Sequence, residues 1–283
     1  MKIKTVGVVG AGTMGNGIAQ VCATAGLLVI LQDISEVQVQ KGIETIASSL
    51  DRMIKKEKIN DAGKNQTLSN IKTATSLEEL SEVDIVIEAA TENESLKLQI
   101  FKQLDSLCKP ETILASNTSS ISLTRIAGVT QRAEQVIGMH FMNPVPMMTL
   151  VEIIRALQTN NDVYQQVHDL SEAIGKIPVE AKDSPGFIAN RILIPMINEA
   201  IFTLHEGIAS AEAIDECMKL GMAHPLGPLA LADLIGLDTC LSVIKVLHEG
   251  FGDSKYRPCP LLQQMVDAGY LGRKSGQGFY QYD

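Results

Sequence analysis

His140 and Glu152 are the residues whose types and spacing suggest acid–base chemistry. His140 follows an apolar strand pattern over 136–139 and enters the turn Phe141-Met142-Asn143-Pro144. A lone histidine at a strand end is commonly structural until a charged partner is found. Glu152 is the candidate partner: in Leu150-Val151-Glu152-Ile153-Ile154 the acid shares a strand face with Leu150 and Ile154, and a carboxylate on an apolar face needs compensation. A hydrogen bond from one ring nitrogen to Glu152 would orient the imidazole and stabilise its protonated form. The other nitrogen could then exchange a proton with a substrate hydroxyl. The twelve positions between the two residues fit neighbouring strands.

A second set of residues suits a dinucleotide. Gly10-Ala11-Gly12-Thr13-Met14-Gly15 is a G-x-G-x-x-G between a strand pattern and a helix pattern. In that context the first glycine permits a tight turn, the second admits a pyrophosphate to the backbone, and the third lets helix pack on strand. Asp33 closes the next apolar strand, where an acid hydrogen-bonds a ribose 2′-hydroxyl. It selects NAD, because a 2′-phosphate ~4 Å away would cost roughly 4 kcal/mol per unit charge pair at an effective dielectric of 20. The plainer alternative is an acid capping the following helix.

The elements that must hold these side chains follow from periodicity. Strands are expected at 3–9, 28–31, 84–88, 112–115, 136–139, 150–154 and 177–181. Helices are expected at 14–25 and 95–107, with a helical pair inserted near 36–70. Alternating short strands and helices predict a Rossmann-type, doubly wound, mostly parallel α/β sheet covered on both faces. The pattern changes at Asp183-Ser184-Pro185-Gly186, so the expected domains are 1–184 and an all-helical 185–283, with helices near 187–206, 211–220, 229–249 and 261–268. The many apolar positions of that second domain call for a partner surface, and a homodimer or larger homo-oligomer is expected.

Composition narrows the functional classes. The 283 residues suit two domains at roughly 150 residues each. With 24 Lys and Arg against 33 Asp and Glu, a net charge of −9 lacks the basic footprint that nucleic acid requires. At 45% hydrophobic and 20% charged residues the chain is of ordinary globular composition. Its longest apolar runs fall far short of the roughly 18 residues of a membrane helix. Met1-Lys2-Ile3-Lys4 imitates a signal-peptide start, but glycines from Gly7 onward break the stretch that follows, so no processing is expected. Five cysteines without a C-x-x-C pair suit a reducing, cytoplasmic location. Five scattered histidines offer no zinc-ligand spacing, and no metal is expected.

Taken together, the ordered motifs resemble the short-chain 3-hydroxyacyl-CoA dehydrogenases, and among them the bacterial 3-hydroxybutyryl-CoA dehydrogenases. The resemblance rests on Gly10 to Gly15, Ile87-Glu88-Ala89-Ala90, Ala115-Ser116-Asn117-Thr118-Ser119-Ser120, His140 to Pro144 and Val151-Glu152. It continues through Pro185-Gly186-Phe187, Asn190-Arg191, His224-Pro225-Leu226-Gly227-Pro228 and Gly272-Arg273-Lys274-Ser275-Gly276. It implies NAD-linked interconversion of an (S)-3-hydroxyacyl-CoA and its 3-ketoacyl-CoA. By this likeness His140 is the base with Glu152 behind it, while Ser119 and Asn190 bond the substrate's C3 oxygen and its surroundings. Glu92, Lys97, Asn143 and Lys274 touch NAD, and Arg52 and Lys56 meet the 3′-phosphate of CoA.

Read without the resemblance, Ser119 could cap a helix starting near Ser122, Asn190 is a helix-surface amide, and Arg52 and Lys56 form a solvated helix face. Met142 departs from the pattern, standing where phenylalanine is commoner. Two other functions use such a scaffold. One is a β-hydroxyacid dehydrogenase acting on free acids, whose lysine motif is absent after Pro185. The other is a dinucleotide-binding structural or sensor protein, which would need no acid–base set.

Overall fold

Uninterrupted aliphatic runs form the middle of a single sheet. In this computed structural model, which describes residues 3–282, Met1 and Lys2 of the signal-like start lie outside the described residues. The chain enters at β1 (Thr5–Val9), passes through helix α1 (Thr13–Thr24) to β2 (Leu28–Gln32), and continues through α2 (Glu36–Lys55) and α3 (Asp61–Ser69) to β3 (Ile71–Ala74). It then crosses to the other side of β1 as β4 (Ile85–Glu88), α4 (Glu94–Leu107), β5 (Ile113–Ser116), α5 (Leu123–Ala127) and β6 (Val136–Phe141). β7 (Leu150–Arg155), α6 (Asn161–Ala173) and β8 (Ile177–Lys182) complete the layer. The order is β3-β2-β1-β4-β5-β6-β7-β8. All neighbours run parallel except β6 and β7. Every residue of β4 and β5 is buried, as strands covered on both faces must be. The change of winding direction between β1 and β4 opens a crevice at their carboxyl ends, where this architecture binds ligands.

Four expectations are corrected. β3 was not anticipated, because its Lys72 and Thr73 are exposed at the sheet edge and give no apolar run. The connection to β8 is the helix α6, also unforeseen. β6 runs on through Phe141, since its ladder with β7 continues to the pair Phe141–Val151, so His140 sits within the strand rather than after it. The helix expected at 229–249 is two helices broken at Gly236, whose φ of +103° no helix accommodates.

The chain divides into two compact units, the first ending at Ser184 and the second beginning at Pro185. The second unit consists of α7 (Ala189–His205), α8 (Ala211–Met222), α9 (Pro228–Ile235), α10 (Leu237–Phe251) and α11 (Pro260–Asp267) around Ile197, Ile201, Leu229, Cys240 and Ile244. Two buried acids tie it together. Asp215 accepts the N–H groups of Leu229 and Ala230 at the start of α9 and the hydroxyl of Tyr280. Asp233 accepts the N–H groups of Phe279 and Tyr280 and the hydroxyl of Tyr282. Among the described residues, no helix is long and apolar enough to cross a membrane.

Candidate active site

The glycine loop is shaped by contacts that exclude side chains. Gly10 leaves β1 at φ +96°, and a Cβ there would lie 2.7 Å from the carbonyl oxygen of Ala89; at Gly15 it would lie 1.7 Å from that of Gly10. At Gly12 the same test meets open space, and no side chain caps α1. The start of this helix therefore has both room and main-chain donors for a pyrophosphate. Asp33 follows β2, and its Oδ2 accepts the N–H of Ala11 at 2.9 Å. Ser35 is the N-cap of α2 and reaches Asp33 Oδ1 only at 3.4 Å, so the acid is tied to the glycine loop rather than to the following helix. Gly10, Asp33, Ile34, Leu77 and Ala90 line a cleft of about 270 Å³. Ile34 is 92% exposed on it, an apolar side chain suited to lie against an adenine. The donors, the acid and the open glycine fit a dinucleotide without a 2′-phosphate.

The antiparallel ladder sets His140 directly opposite Glu152. His140 Nδ1 and Glu152 Oε2 are 2.7 Å apart, with the histidine 8% and the acid 1% exposed. An ionised carboxylate can only accept, so Nδ1 carries the proton of this bond and Nε2 is the acceptor of the neutral ring. On the other flank Phe141 donates its N–H to Asn117 Oδ1 at 2.9 Å, which brings the loop after β5 beside β6.

Ser119 lies on that loop, half-buried. It does not cap α5; Ser122 does, accepting the N–H of Arg125. Glu92 organises the loop. Its Oε1 accepts from the Thr118 hydroxyl at 2.5 Å, the Ser119 N–H at 3.0 Å and the Ser120 hydroxyl at 2.9 Å. Burial works to raise the pKa of Glu92, but Lys97 and these hydrogen bonds outweigh it and hold the carboxyl below its ordinary range. Lys97, 1% exposed, lies 2.6 Å from Glu88 Oε1 and 3.3 Å from Glu92 Oε2.

The remaining sequence-predicted residues belong to other elements. Arg52 is exposed in the last turn of α2, where its guanidinium donates to Ser48 Oγ at 3.1 Å, and Lys56 is exposed at the end of the same helix. Asn143 is exposed in the turn between β6 and β7, ahead of a cis bond to Pro144. Lys176 fastens that turn, donating to the carbonyls of Val145 at 2.6 Å and Met148 at 2.7 Å. In the second unit Asn190 is half-buried in the first turn of α7, next to an Arg191 whose guanidinium stands 3.8 Å from the Phe251 ring centre. Lys274 pairs with Asp238 at 2.5 Å.

Comparison with known families decides what these residues belong to. Residues 5–184 match the family described as 3-hydroxyacyl-CoA dehydrogenase, NAD binding domain, and residues 186–282 match its C-terminal domain. The chain belongs to the 3-hydroxyacyl-CoA dehydrogenase family. This dehydrogenase is 54% identical, over 100% of its length and 99% of the relative's, to a probable 3-hydroxybutyryl-CoA dehydrogenase of Bacillus subtilis. It is also 54% identical to a 3-hydroxybutyryl-CoA dehydrogenase of Bradyrhizobium diazoefficiens, covering 99% of this chain and 96% of that one. The crystal structure of (S)-3-hydroxybutyryl-CoA dehydrogenase from Ralstonia eutropha superposes with a TM-score of 0.98 at 60% identity, covering 100% of both chains. The protein is thus an oxidoreductase whose cofactor is NAD.

Several polar residues of this dehydrogenase's site have no role in the sequence reading. Glu88, Ser116, Asn117, Thr118 and Ser120 all make hydrogen bonds at the carboxyl edge of β4 and β5. The available signal was chemical: polar residues that close fully buried aliphatic strands need partners there.

Proposed function

We propose that this dehydrogenase interconverts (S)-3-hydroxybutyryl-CoA and acetoacetyl-CoA with NAD, using His140 as the acid–base group. The observation that carries this reading is the 2.7 Å contact between His140 Nδ1 and the buried Glu152. With Nδ1–H held by the carboxylate, Nε2 takes the proton of the C3 hydroxyl during oxidation and returns it during reduction. Glu152 stabilises the resulting imidazolium without itself taking the proton. NAD, held by the glycine loop and Asp33, would supply the acceptor for the C3 hydride. Ser119 and Asn190 donate to the C3 oxygen, steadying its changing charge. Glu92, Lys97, Asn143 and Lys274 contact the cofactor, Asp33 holds the adenosine ribose, and Arg52 and Lys56 take the 3′-phosphate of CoA, as the family resemblance implies. The first unit binds NAD. The second contributes to substrate binding and to a homodimer, for which exposed Ile192, Leu220 and Met222 offer an apolar surface. The enzyme works in the cytoplasm, consistent with five free cysteines.

The test is reduction of acetoacetyl-CoA by NADH in the wild type and in His140→Ala. Loss of about 10²- to 10⁴-fold in kcat is expected, and full retention would remove His140 as the acid–base group. Comparing the four-carbon thioester with longer acyl-CoA chains and with free 3-hydroxybutyrate assigns the substrate. Turnover of the free acid at a kcat/KM equal to that of the thioester would rule out the CoA ester as the recognised form.

A further inference from the structure

Asn190 owes its place to the first turn of α7, and that turn has few restraints of its own. Its N-cap is Ile188, whose side chain cannot accept from the first N–H groups of the helix. Inside the helix Pro195 has no N–H to give the carbonyl of Arg191. The approach to the helix is unusual as well. Gly186 and Phe187 are both left-handed, at φ +76° and +49°, and a phenylalanine keeps such a backbone only where its surroundings impose it.

What restrains the turn is gathered on Arg191, the next residue. Its N–H donates to the Gly186 carbonyl at 3.0 Å. Its guanidinium stands 3.8 Å from the ring centre of Phe251 and 4.8 Å from that of Tyr256, and the two rings lie 5.1 Å apart. Phe251 ends α10, and the preceding Gly250 leaves no room for a side chain beside Pro185: a Cβ there would lie 2.6 Å from the proline Cγ. Tyr256 is buried, and the chain after it is tied to α7 by Asn198, which donates to the Arg257 carbonyl at 3.0 Å and accepts the Cys259 N–H at 2.9 Å. Nη1 of Arg191 is buried without a hydrogen-bond partner among the described residues. Two aromatic faces therefore hold this cation where a carboxylate would be expected.

The geometry points to Arg191 as a positioning residue for the dehydrogenase reaction, which stacks on Phe251 and Tyr256 and so fixes the first turn of α7 and the direction of Asn190. This rests on the substrate role proposed for Asn190. A planar guanidinium lies flat on a ring as an ammonium cannot, so the stack restrains the rotation of the helix start as well as its place. A donor displaced from the changing charge by a fraction of an ångström gives up much of its effect.

The experiment compares wild type with R191K, F251L, N190A, the double variant R191K/N190A and K255M. R191K keeps the charge and loses the plane, and F251L keeps the arginine and removes a ring beside it. K255M removes an exposed ammonium that lies 4.9 Å from the same Tyr256 ring and serves as the control. Folding is checked by circular dichroism, and either R191K or F251L suffices if the other does not fold. The readouts are steady-state reduction of acetoacetyl-CoA by NADH and amide hydrogen exchange over residues 186–192. In R191K and F251L kcat should fall about tenfold, with the KM for acetoacetyl-CoA and for NADH within about threefold of wild type. Exchange over 186–192 should quicken about tenfold while that of α8 and α9 is unchanged. R191K/N190A should be no slower than N190A, as expected for residues acting in series, and K255M should match wild type. The inference is overturned if the folded variants keep wild-type exchange, or keep wild-type kcat where N190A loses it. It is also overturned if the losses multiply in the double variant, or if the KM for acetoacetyl-CoA rises more than about tenfold at unchanged kcat, which would make Arg191 itself a substrate contact. An N190A enzyme with wild-type kcat refutes the role proposed for Asn190 instead, and hydrogen exchange still decides whether Arg191 orders the turn.

Discussion

A histidine becomes a useful acid–base group when one nitrogen is immobilised and the other is left to the substrate. The His140–Glu152 bond immobilises Nδ1 between two buried side chains, so its loss should not be compensated by water. Glu152→Gln keeps the shape but removes the charge that stabilises the imidazolium, and kcat should fall by about 10²-fold with little change in the KM for NADH. Steady-state kinetics of the purified variant check this. In the proposed reading Asp33, fixed by its bond to Ala11, sets cofactor choice by its charge. Asp33→Ala should narrow the preference for NADH over NADPH by at least about tenfold, since a repulsion of several kcal/mol disappears; the ratio of kcat/KM for the two cofactors measures it. Both residues were legible in the sequence because each is a polar residue at a fixed place in an apolar pattern. The inward direction of Lys97 was not, because a lysine on a helix normally turns its charge to water, and only the sheet edge beneath α4 shows two acids waiting for it.

At the scale of elements, the tight fit of α1 on β1 is the most demanding local feature. Gly15→Ala would bring a methyl group to 1.7 Å from the Gly10 carbonyl oxygen, so the turn must open. The variant should lose about 1–3 kcal/mol of stability and bind NADH more weakly; urea denaturation and fluorescence titration read the two effects separately. The strands that the sequence disclosed are those with continuous aliphatic runs, β1, β2, β4 and β5 above all. β3 escaped notice because an edge strand needs no apolar face toward solvent. The break at Gly236 was hidden by apolar residues that continue at helical spacing on both sides of it. The reversal at β7 was equally illegible: Leu-Val-Glu-Ile-Ile reads as a strand in either direction, and only the short 142–149 connection favours the antiparallel one.

The whole molecule carries a charge of −9 and many surface acids, but its acid stability should depend on few of them. Asp84 stands out. Burial works to raise its pKa, yet the N–H groups of Lys4 and Thr5, the Lys109 ammonium and the Thr5 hydroxyl pull it down from 3.8 to about 2. A carboxyl whose folded pKa is depressed contributes stability above its unfolded value, and that contribution is lost as pH falls through the folded one. Thermal melts should therefore show a drop between about pH 4 and pH 2 that Asp84→Asn flattens. The turn between β6 and β7 separates what holds its path from what its side chains do. Lys176 grips this turn by main-chain oxygens, not side chains, while Met147 and Met148 stand 57% and 42% exposed on it. The side chains of this turn can therefore be exchanged while its path, and the ladder that sets His140 opposite Glu152, stay as they are.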